Sequence, residues 1–165
     1  MTNGTETLQV AAHGDREIVS ERVFNAPRER VFRAFSDPEL IPQWWGRHKD
    51  TITVEKMDVR EGGDWRFLTD GPDGQHAFRG TFRVIAPPEM VEQTFEWEGM
   101  PGHVAVETAT FEDLGDGRTK VRVRTIFHTT EERDGMLASG MEIGMGESYE
   151  RLDELLAADA DSQRA

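Results

Sequence analysis

The sequence of 165 residues contains no cysteine, which excludes disulfide bonds, thiolate metal ligands and a cysteine nucleophile. It has no apolar run of about 18 residues that could span a membrane, and its polar first residues lack the apolar core of a signal peptide. Positive charge is scarce, because 19 lysines and arginines stand against 32 acidic residues, for a net charge of −13. This charge argues against nucleic acids and anionic lipid surfaces as partners. We therefore expect a cytoplasmic protein that binds neither nucleic acid nor membranes.

The patterns of metal-dependent and nucleophilic chemistry are missing as well. The five histidines are scattered, and no two of them have the spacing of a metal-binding pair. No Gly-x-Ser-x-Gly string and no phosphate-binding glycine loop occurs. His76 and His128 fall at the ends of predicted strands, where a solvent-facing position is expected. We expect no metal and no cofactor, and the sequence identifies no catalytic residue.

The size of the chain and its large aromatic side chains indicate one globular domain. The chain is long enough to bury a core, and its nine phenylalanines and four tryptophans supply large apolar surfaces. Residues 1–15 are polar and carry little apolar pattern, so they are predicted to form a flexible tail. The predicted domain covers residues 16–157, and a second flexible tail is predicted at residues 158–165.

The first part of the domain is predicted to contain one strand and two short helices. Arg16–Asn25 alternates between two faces, as a strand does, and ends just before a proline. Pro27–Ser36 has apolar residues at helical spacing and begins with proline, which is favoured in the first helical turn. Asp37 and Pro38 end that helix, and a second short helix is predicted over Glu39–Trp45.

The middle of the chain has the two-residue period of β-strands, interrupted by glycine- and proline-rich turns. Short turns between successive strands predict an antiparallel meander. The strands present one apolar face each, as expected for a sheet that is covered on one side. The six predicted strands are Ile52–Val59, Asp64–Thr69, His76–Ile85, Met90–Trp97, Val104–Leu114 and Thr119–His128.

The segment Glu131–Ala157 is predicted to be a single amphipathic helix that covers the sheet. Gly140, Gly144 and Ser148 are four residues apart and would lie on one helix face, although each interior glycine costs about 1 kcal/mol relative to alanine. One interpretation is that these small residues leave room for a cavity; the other is an ordinary core helix packed tightly at its glycines. In the first interpretation, flexible methionines also line the cavity, namely Met136, Met141 and Met145.

The predicted fold class is α+β, a curved antiparallel sheet of about seven strands wrapped on one long C-terminal helix. The predicted element order is β-α-α-β-β-β-β-β-β-α. Trp44 and Trp45 could close the mouth of a pocket and seal the short helix to the sheet, or could be ordinary core residues. Gln93 could anchor a ligand or bond to a neighbouring main-chain group, and Glu107 is expected to face water. The aromatic residues predicted to point inward are Phe67, Phe78, Phe82, Phe95 and Trp97.

Several local strings, in a specific order along residues 16–157, resemble a known family. The chain is similar to the bacterial branch of the family named for the activator of Hsp90 ATPase, within the START/Bet v 1-like helix-grip superfamily. Many relatives have proline after the Trp-Trp-Gly string, whereas this chain has Arg47. The strings that carry the resemblance begin with Phe24–Pro27, Trp44–Gly46 and Asp58–Phe67, and continue with Asp73-Gly74, Pro87–Glu89, Gly115–Gly117, Gly135–Glu142 and Arg151–Leu156.

This resemblance implies a mostly apolar pocket between the sheet and the terminal helix, where superfamily members hold lipids, sterols, polyketides or other hydrophobic ligands. Superfamily relatives also include polyketide aromatases, cyclases and hydrolases, so an enzyme that uses the same pocket is an alternative. A module that interacts with a chaperone, as the family name suggests, is a second alternative. The residues expected to line the pocket are Trp44, Trp45, Phe67, Phe78, Phe82, Phe95, Trp97, Met136, Gly140, Met141, Gly144 and Met145.

Overall fold

The computed structural model describes residues 7–164, with side chains described as far as residue 158. Among these residues it contains eight strands and four helices. In chain order they are β1 (Gln9–His13), β2 (Glu17–Phe24), α1 (Arg28–Ser36), α2 (Ile41–Trp44), β3 (Thr51–Met57), β4 (Asp64–Gly71), β5 (Gly74–Ala86), β6 (Met90–Trp97), β7 (Ala105–Asp113), β8 (Thr119–Ile126), α3 (Thr130–Ala138) and α4 (Met141–Arg164).

The eight strands form one curved antiparallel sheet, and the predicted α+β fold is confirmed. The strand order is β1-β2-β8-β7-β6-β5-β4-β3, so the meander from β3 to β8 is extended by β2 and β1 at its end. Short turns allow this order; for example, Gly71 pairs directly with Gly74 at the tight turn between β4 and β5. The helices cover one face of the sheet, while arginines on the other face pair with acidic residues across the strands, as Arg79 does with Glu96 at 3.2 Å.

The eighth strand is β1, which lies inside the stretch predicted to be a flexible tail. Its backbone pairs with β2 in a regular register from Gln9 opposite Glu21 to His13 opposite Glu17. Most of its side chains are exposed, and only Val10 packs against an apolar cluster. Such an edge strand is held by main-chain hydrogen bonds, so its side chains show little of the apolar alternation on which the prediction depended. Residues 1–6 of the predicted tail lie outside the described residues.

The predicted single C-terminal helix is wrong, because the structure divides it into α3 and α4. Gly140 lies between the two helices with φ of +86°, a left-handed conformation that favours glycine. The side chain of Thr129 caps the start of α3 by accepting a hydrogen bond from the Glu132 amide at 3.1 Å. Because the axis is interrupted at Gly140, this residue does not stack above Gly144 and Ser148 as predicted. At the other end α4 continues to Arg164, so the backbone of most of residues 158–165 is helical.

The two C-terminal helices are fixed to different parts of the chain. In α3, the buried Arg133 guanidinium donates to the carbonyl oxygens of Gly14 at 3.1 Å and Glu17 at 2.9 Å. In α4, Asp153 accepts two hydrogen bonds from Arg22 of β2, at 2.8 and 2.5 Å. The Arg22–Asp153 pair is bidentate, and Arg133 bonds to more than one carbonyl oxygen. Such partly buried contacts are stronger than isolated ion pairs on the surface.

The core lies between the sheet and the helices. Its most deeply buried side chains come from both layers. Among the described residues, no helix combines the length and the apolar composition needed to cross a bilayer. The short helices α1 and α2 close one side of this layer, where the Trp44 indole Nε1 donates to the Ala34 carbonyl at 2.9 Å. The largest fully buried side chains are Trp65, Phe24, Phe82, Phe111, Leu152, Val31, Val121 and Thr119.

Candidate functional site

A cavity of about 530 Å³ lies between the inner face of the sheet and the helices. Residues from α1, α2, the inner sheet face, α3 and α4 all contribute to its wall. Arg47 and Trp97 are both about one-third exposed, at 36% and 37%, and mark its opening. The core between the sheet and the helices is therefore not completely filled, and it contains an accessible, mostly apolar cavity.

The structure brings together most of the residues that the sequence indicated for a pocket. Gly140 is the exception, because it forms the junction between α3 and α4 and does not line the cavity. The predicted residues that do line it are Trp44, Trp45, Phe67, Phe78, Phe82, Phe95, Trp97, Met136, Met141, Gly144 and Met145.

Aromatic rings on neighbouring strands form one wall of the cavity. The Trp45 ring meets Phe67 and Phe78 edge-on, with ring centroids 5.2 and 5.6 Å apart. Phe78 in turn lies 5.5 Å from Phe95. Edge-to-face contacts of this kind fix the rings relative to one another. On the opposite side, the two methionines that flank the helix break, Met136 and Met141, supply flexible apolar side chains.

The loop after α2 borders the opening and is fastened to α4. Gly46 has a left-handed φ of +93°, and its carbonyl accepts a hydrogen bond from the Ser148 hydroxyl at 2.8 Å. The next residue, Arg47, donates to Asp50 at 2.9 Å and to Asp73 at 3.1 Å. Arg47 thus joins this loop to the β4–β5 turn through ionic hydrogen bonds.

A polar strip crosses the otherwise apolar sheet wall, and the predicted solvent-facing position of its central residue, Glu107, is wrong. Gln93 of β6 is directly opposite Glu107 of β7, which is directly opposite Thr125 of β8. All three line the cavity, so Glu107 does not face bulk water as expected. The Gln93 amide has no hydrogen-bond partner among the described residues, so the predicted alternative of a main-chain bond is not formed, and the amide is open to the cavity.

The surroundings of Glu107 change its ionisation. Burial in the cavity wall raises the pKa of Glu107 from 4.5 to about 7, and a hydrogen bond with the Thr125 side chain lowers it only in part. Tyr149 of α4 lines the same cavity, and its pKa is raised by burial and then by the nearby Glu107, so its hydroxyl keeps its proton at neutral pH. In the cavity wall, Glu107 therefore changes charge near neutral pH, whereas Tyr149 stays neutral.

The residues that line this site offer hydrogen bonds, proton transfer at Glu107 and apolar contacts. Among residues 7–164, no three histidine, aspartate or glutamate side chains converge in a way that could hold a metal ion. The alanines at positions 105 and 109 flank Glu107 on the inner face of β7 and leave space around its carboxyl group. A molecule in the cavity could therefore reach Glu107 while its apolar part contacts the aromatic wall.

A curved antiparallel sheet that encloses a cavity with its C-terminal helices defines a helix-grip protein. The profile of the family described as Activator of Hsp90 ATPase homolog 1-like protein matches residues 25–157 of this chain. The chain belongs to this family, and the resemblance seen in the sequence is confirmed. Members of this fold family commonly bind hydrophobic ligands. No curated protein matches this chain in sequence.

Solved structures of bacterial proteins have the same fold. A crystal structure from Rhodobacter sphaeroides is 26% identical, with a TM-score of 0.83 over 91% of this chain and 98% of that chain. A solution structure from Arthrobacter aurescens is also 26% identical, with a TM-score of 0.82 and 91% of both chains covered. The AHSA1 protein from Silicibacter pomeroyi is 21% identical, with a TM-score of 0.70 over 87% of this chain and 99% of that chain, and shows the fold alone.

Proposed function

We propose that this protein binds a small hydrophobic molecule, of lipid-, sterol- or polyketide-like character, in the cavity between its sheet and its C-terminal helices. The observation that carries the proposal is the cavity of about 530 Å³, whose wall is mostly apolar and includes many aromatic and methionine side chains. Small-molecule sites have volumes of roughly 300–1,000 Å³ and are lined in this way, with a few polar groups that set orientation. Glu107, Gln93 and Thr125 would be those polar groups here.

Native mass spectrometry of protein purified gently from its host is the direct test of this proposal. We expect a co-purified hydrophobic molecule that stays bound in the native spectrum and is released on denaturation. Its mass would identify the chemical class of the ligand. A protein that is empty and that also binds none of a panel of apolar fluorescent probes would contradict the proposal.

A larger side chain on α4 that occupies part of the cavity should strongly weaken ligand binding. A side chain added at Gly144 would enter the cavity wall, and its Cβ would be in ordinary contact with Arg47, 3.5 Å from Cγ. Gly144→Leu should therefore fold normally while lowering the affinity for an apolar fluorescent probe by at least about tenfold, because the leucine occupies ligand volume. Fluorescence titration measures the affinity, and circular dichroism checks the fold.

Gly146→Leu is the matched control for this experiment. Gly146 lies two residues further along α4, does not line the cavity, and has open space where a Cβ would be added. Both variants replace a helical glycine by leucine, so both gain the same helix propensity of up to about 1 kcal/mol. Equal loss of probe binding in the two variants would show that the effect comes from the helix and not from the cavity.

Glu107 favours an enzyme as a second candidate function. A carboxyl group with a pKa near 7 can both accept and donate a proton at neutral pH, as acid–base catalysis of the cyclase or hydrolase type requires. A compound that is bound and chemically converted by the wild-type protein, but bound without conversion by Glu107→Gln, would identify an enzyme. A ligand recovered unchanged after long incubation would instead support a carrier or sensor.

A further inference from the structure

Glu107 is an acidic group without a cationic partner in an apolar cavity. Among the described residues, no lysine, arginine or histidine forms an ion pair with it. Arg47, the cation nearest to the opening, is already engaged by Asp50 and Asp73. A carboxylate in such a place is costly unless an opposite charge reaches it. An ionised Glu107 therefore has no cationic partner among the described residues, and a positively charged ligand group would stabilise it.

The aromatic side chains next to Glu107 would also favour the binding of a cation. Phe95 is two residues from Gln93 on β6, and Phe127 is two residues from Thr125, so both rings lie beside the polar strip and both line the cavity. Aromatic faces attract ammonium groups, and more strongly where water is excluded. The free Gln93 amide adds an oxygen that can accept an N–H hydrogen bond. The net charge of −13 further raises the concentration of cations at the protein surface.

We propose that the cavity selects amphiphilic amines, with the ammonium group held by Glu107 and Gln93 and the apolar body lying along the aromatic and methionine walls. This inference rests on the proposed binding function and specifies the ligand class. A neutral ligand would use the same carboxyl group differently, because a protonated Glu107 would donate a hydrogen bond to a carbonyl or hydroxyl oxygen. The two cases have opposite pH dependence and can be told apart by experiment.

The charged and titratable groups around the cavity make this pH dependence interpretable. Tyr149 on α4 stays protonated, and Arg47 and Asp50, from the segment between α2 and β3, are paired with each other. His76 on β5 is the remaining titratable residue of the wall, while β6 and β8 contribute the uncharged Gln93 and Thr125 to the strip. A pH effect that disappears in Glu107→Gln, where His76 is unchanged, can therefore be assigned to Glu107.

The test compares n-decylamine with n-decanol, which differ only in the polar group, by isothermal titration at about pH 5 and about pH 8. Glu107 loses its proton between these pH values, whereas a primary alkyl amine keeps its own. At about pH 8 the wild-type protein should bind the amine at least about tenfold more tightly than the alcohol, and this preference should shrink at about pH 5.

Two variants make the result specific. Glu107→Gln should lose the preference for the amine over the alcohol, whereas Glu112→Gln, on the exposed face of the same strand, should behave as wild type. Decanol bound as tightly as decylamine at about pH 8 would overturn the amine assignment and leave hydrophobic binding intact. If neither compound binds to the folded wild-type protein, the proposed function fails as well.

Discussion

Replacing Glu107 by glutamine should stabilise the folded protein by about 3 kcal/mol at high pH and leave its stability almost unchanged in acid. The raised pKa of Glu107, about 7 against 4.5 when exposed to water, means that ionisation is disfavoured in the folded state. Glutamine has nearly the same shape and never ionises, so it removes this penalty. The expected gain in the free energy of unfolding arises because Glu107 lies in the apolar wall of the cavity.

The sign and the range of this pH effect follow from proton linkage. Below pH 4.5 the carboxyl group is protonated in both the folded and the unfolded chain, so Glu107 lowers the stability by almost nothing. Between pH 4.5 and about 7 the unfolded chain loses this proton while the folded chain keeps it, so wild-type stability falls as pH rises. Above about pH 7 both states are ionised and the penalty is constant.

Urea denaturation of wild type and Glu107→Gln across this pH range measures the difference directly. The control is Glu112→Gln, which makes the same chemical change on the same strand at an exposed position. Its free energy of unfolding should follow that of wild type within about 0.5 kcal/mol at every pH. A difference between Glu107→Gln and wild type that does not change with pH would contradict the placement of Glu107 in the cavity.

Gly80→Ala should destabilise the protein by at least about 4 kcal/mol, enough to prevent folding of a marginally stable domain. Gly80 lies in β5, where an added Cβ would overlap the main-chain carbonyl of Thr94 and lie 2.6 Å from Nε1 of Trp65. The carbonyl belongs to the backbone of β6, and the indole is 1% exposed, so neither can move aside without disturbing the sheet or the core. The missing side chain at Gly80 is thus what allows Trp65 to pack against β5.

The measurement is the free energy of unfolding in urea, or the yield of folded protein if the variant cannot be purified. Gly135→Ala in α3 is a suitable control, because no atom lies within 4 Å of the Cβ that it would add. This control should be as stable as wild type or more stable by up to about 1 kcal/mol, since alanine is the better helix former. A Gly80→Ala protein within about 1 kcal/mol of wild type would show that the strands can separate locally.

The sheet could be predicted from the sequence because two local signals coincide along it. Turn-forming glycines and prolines mark the ends of the strands, and the apolar residues between them have a two-residue period. The prediction for β6, Met90–Trp97, agrees with the structure at both ends. The aromatic residues that line the cavity follow from the same alternation, since side chains on one face of a strand share a parity.

The side-chain alternation of β7 was predicted with the wrong phase, and Glu107 is the residue that this error misplaced. The prediction took Val104 and Val106 as the inner face of β7, which put Glu107 on the opposite, solvent-facing side. The structure instead puts Phe111 on the inner face, buried at 2%, and Glu107 has the same parity as Phe111. Taking the phase of the strand from the large aromatic side chain would have found the carboxyl group in the cavity.

The break at Gly140 could not be predicted from helical periodicity alone. A glycine inside a helix costs only about 1 kcal/mol, which is too little to decide between a continuous and an interrupted helix. The decision comes from distant contacts, since Arg133 holds α3 to the turn between β1 and β2 while Ser148 holds α4 to Gly46. These partners are more than a hundred residues away in sequence, so local patterns carry no information about them.

Because α3 and α4 are anchored separately, a change at Gly140 alone would alter the shape of the cavity. Met136 and Met141 stand on either side of Gly140, so a rotation about the backbone of this glycine would change the distance between the two methionine walls. Neither Arg133 nor Ser148 would have to release its partners during such a rotation. Ligands of different length could then be enclosed with the sheet and its polar strip unchanged. The polar end of a ligand would then contact the fixed strands of the sheet, while its apolar end would contact helices whose relative orientation changes at Gly140.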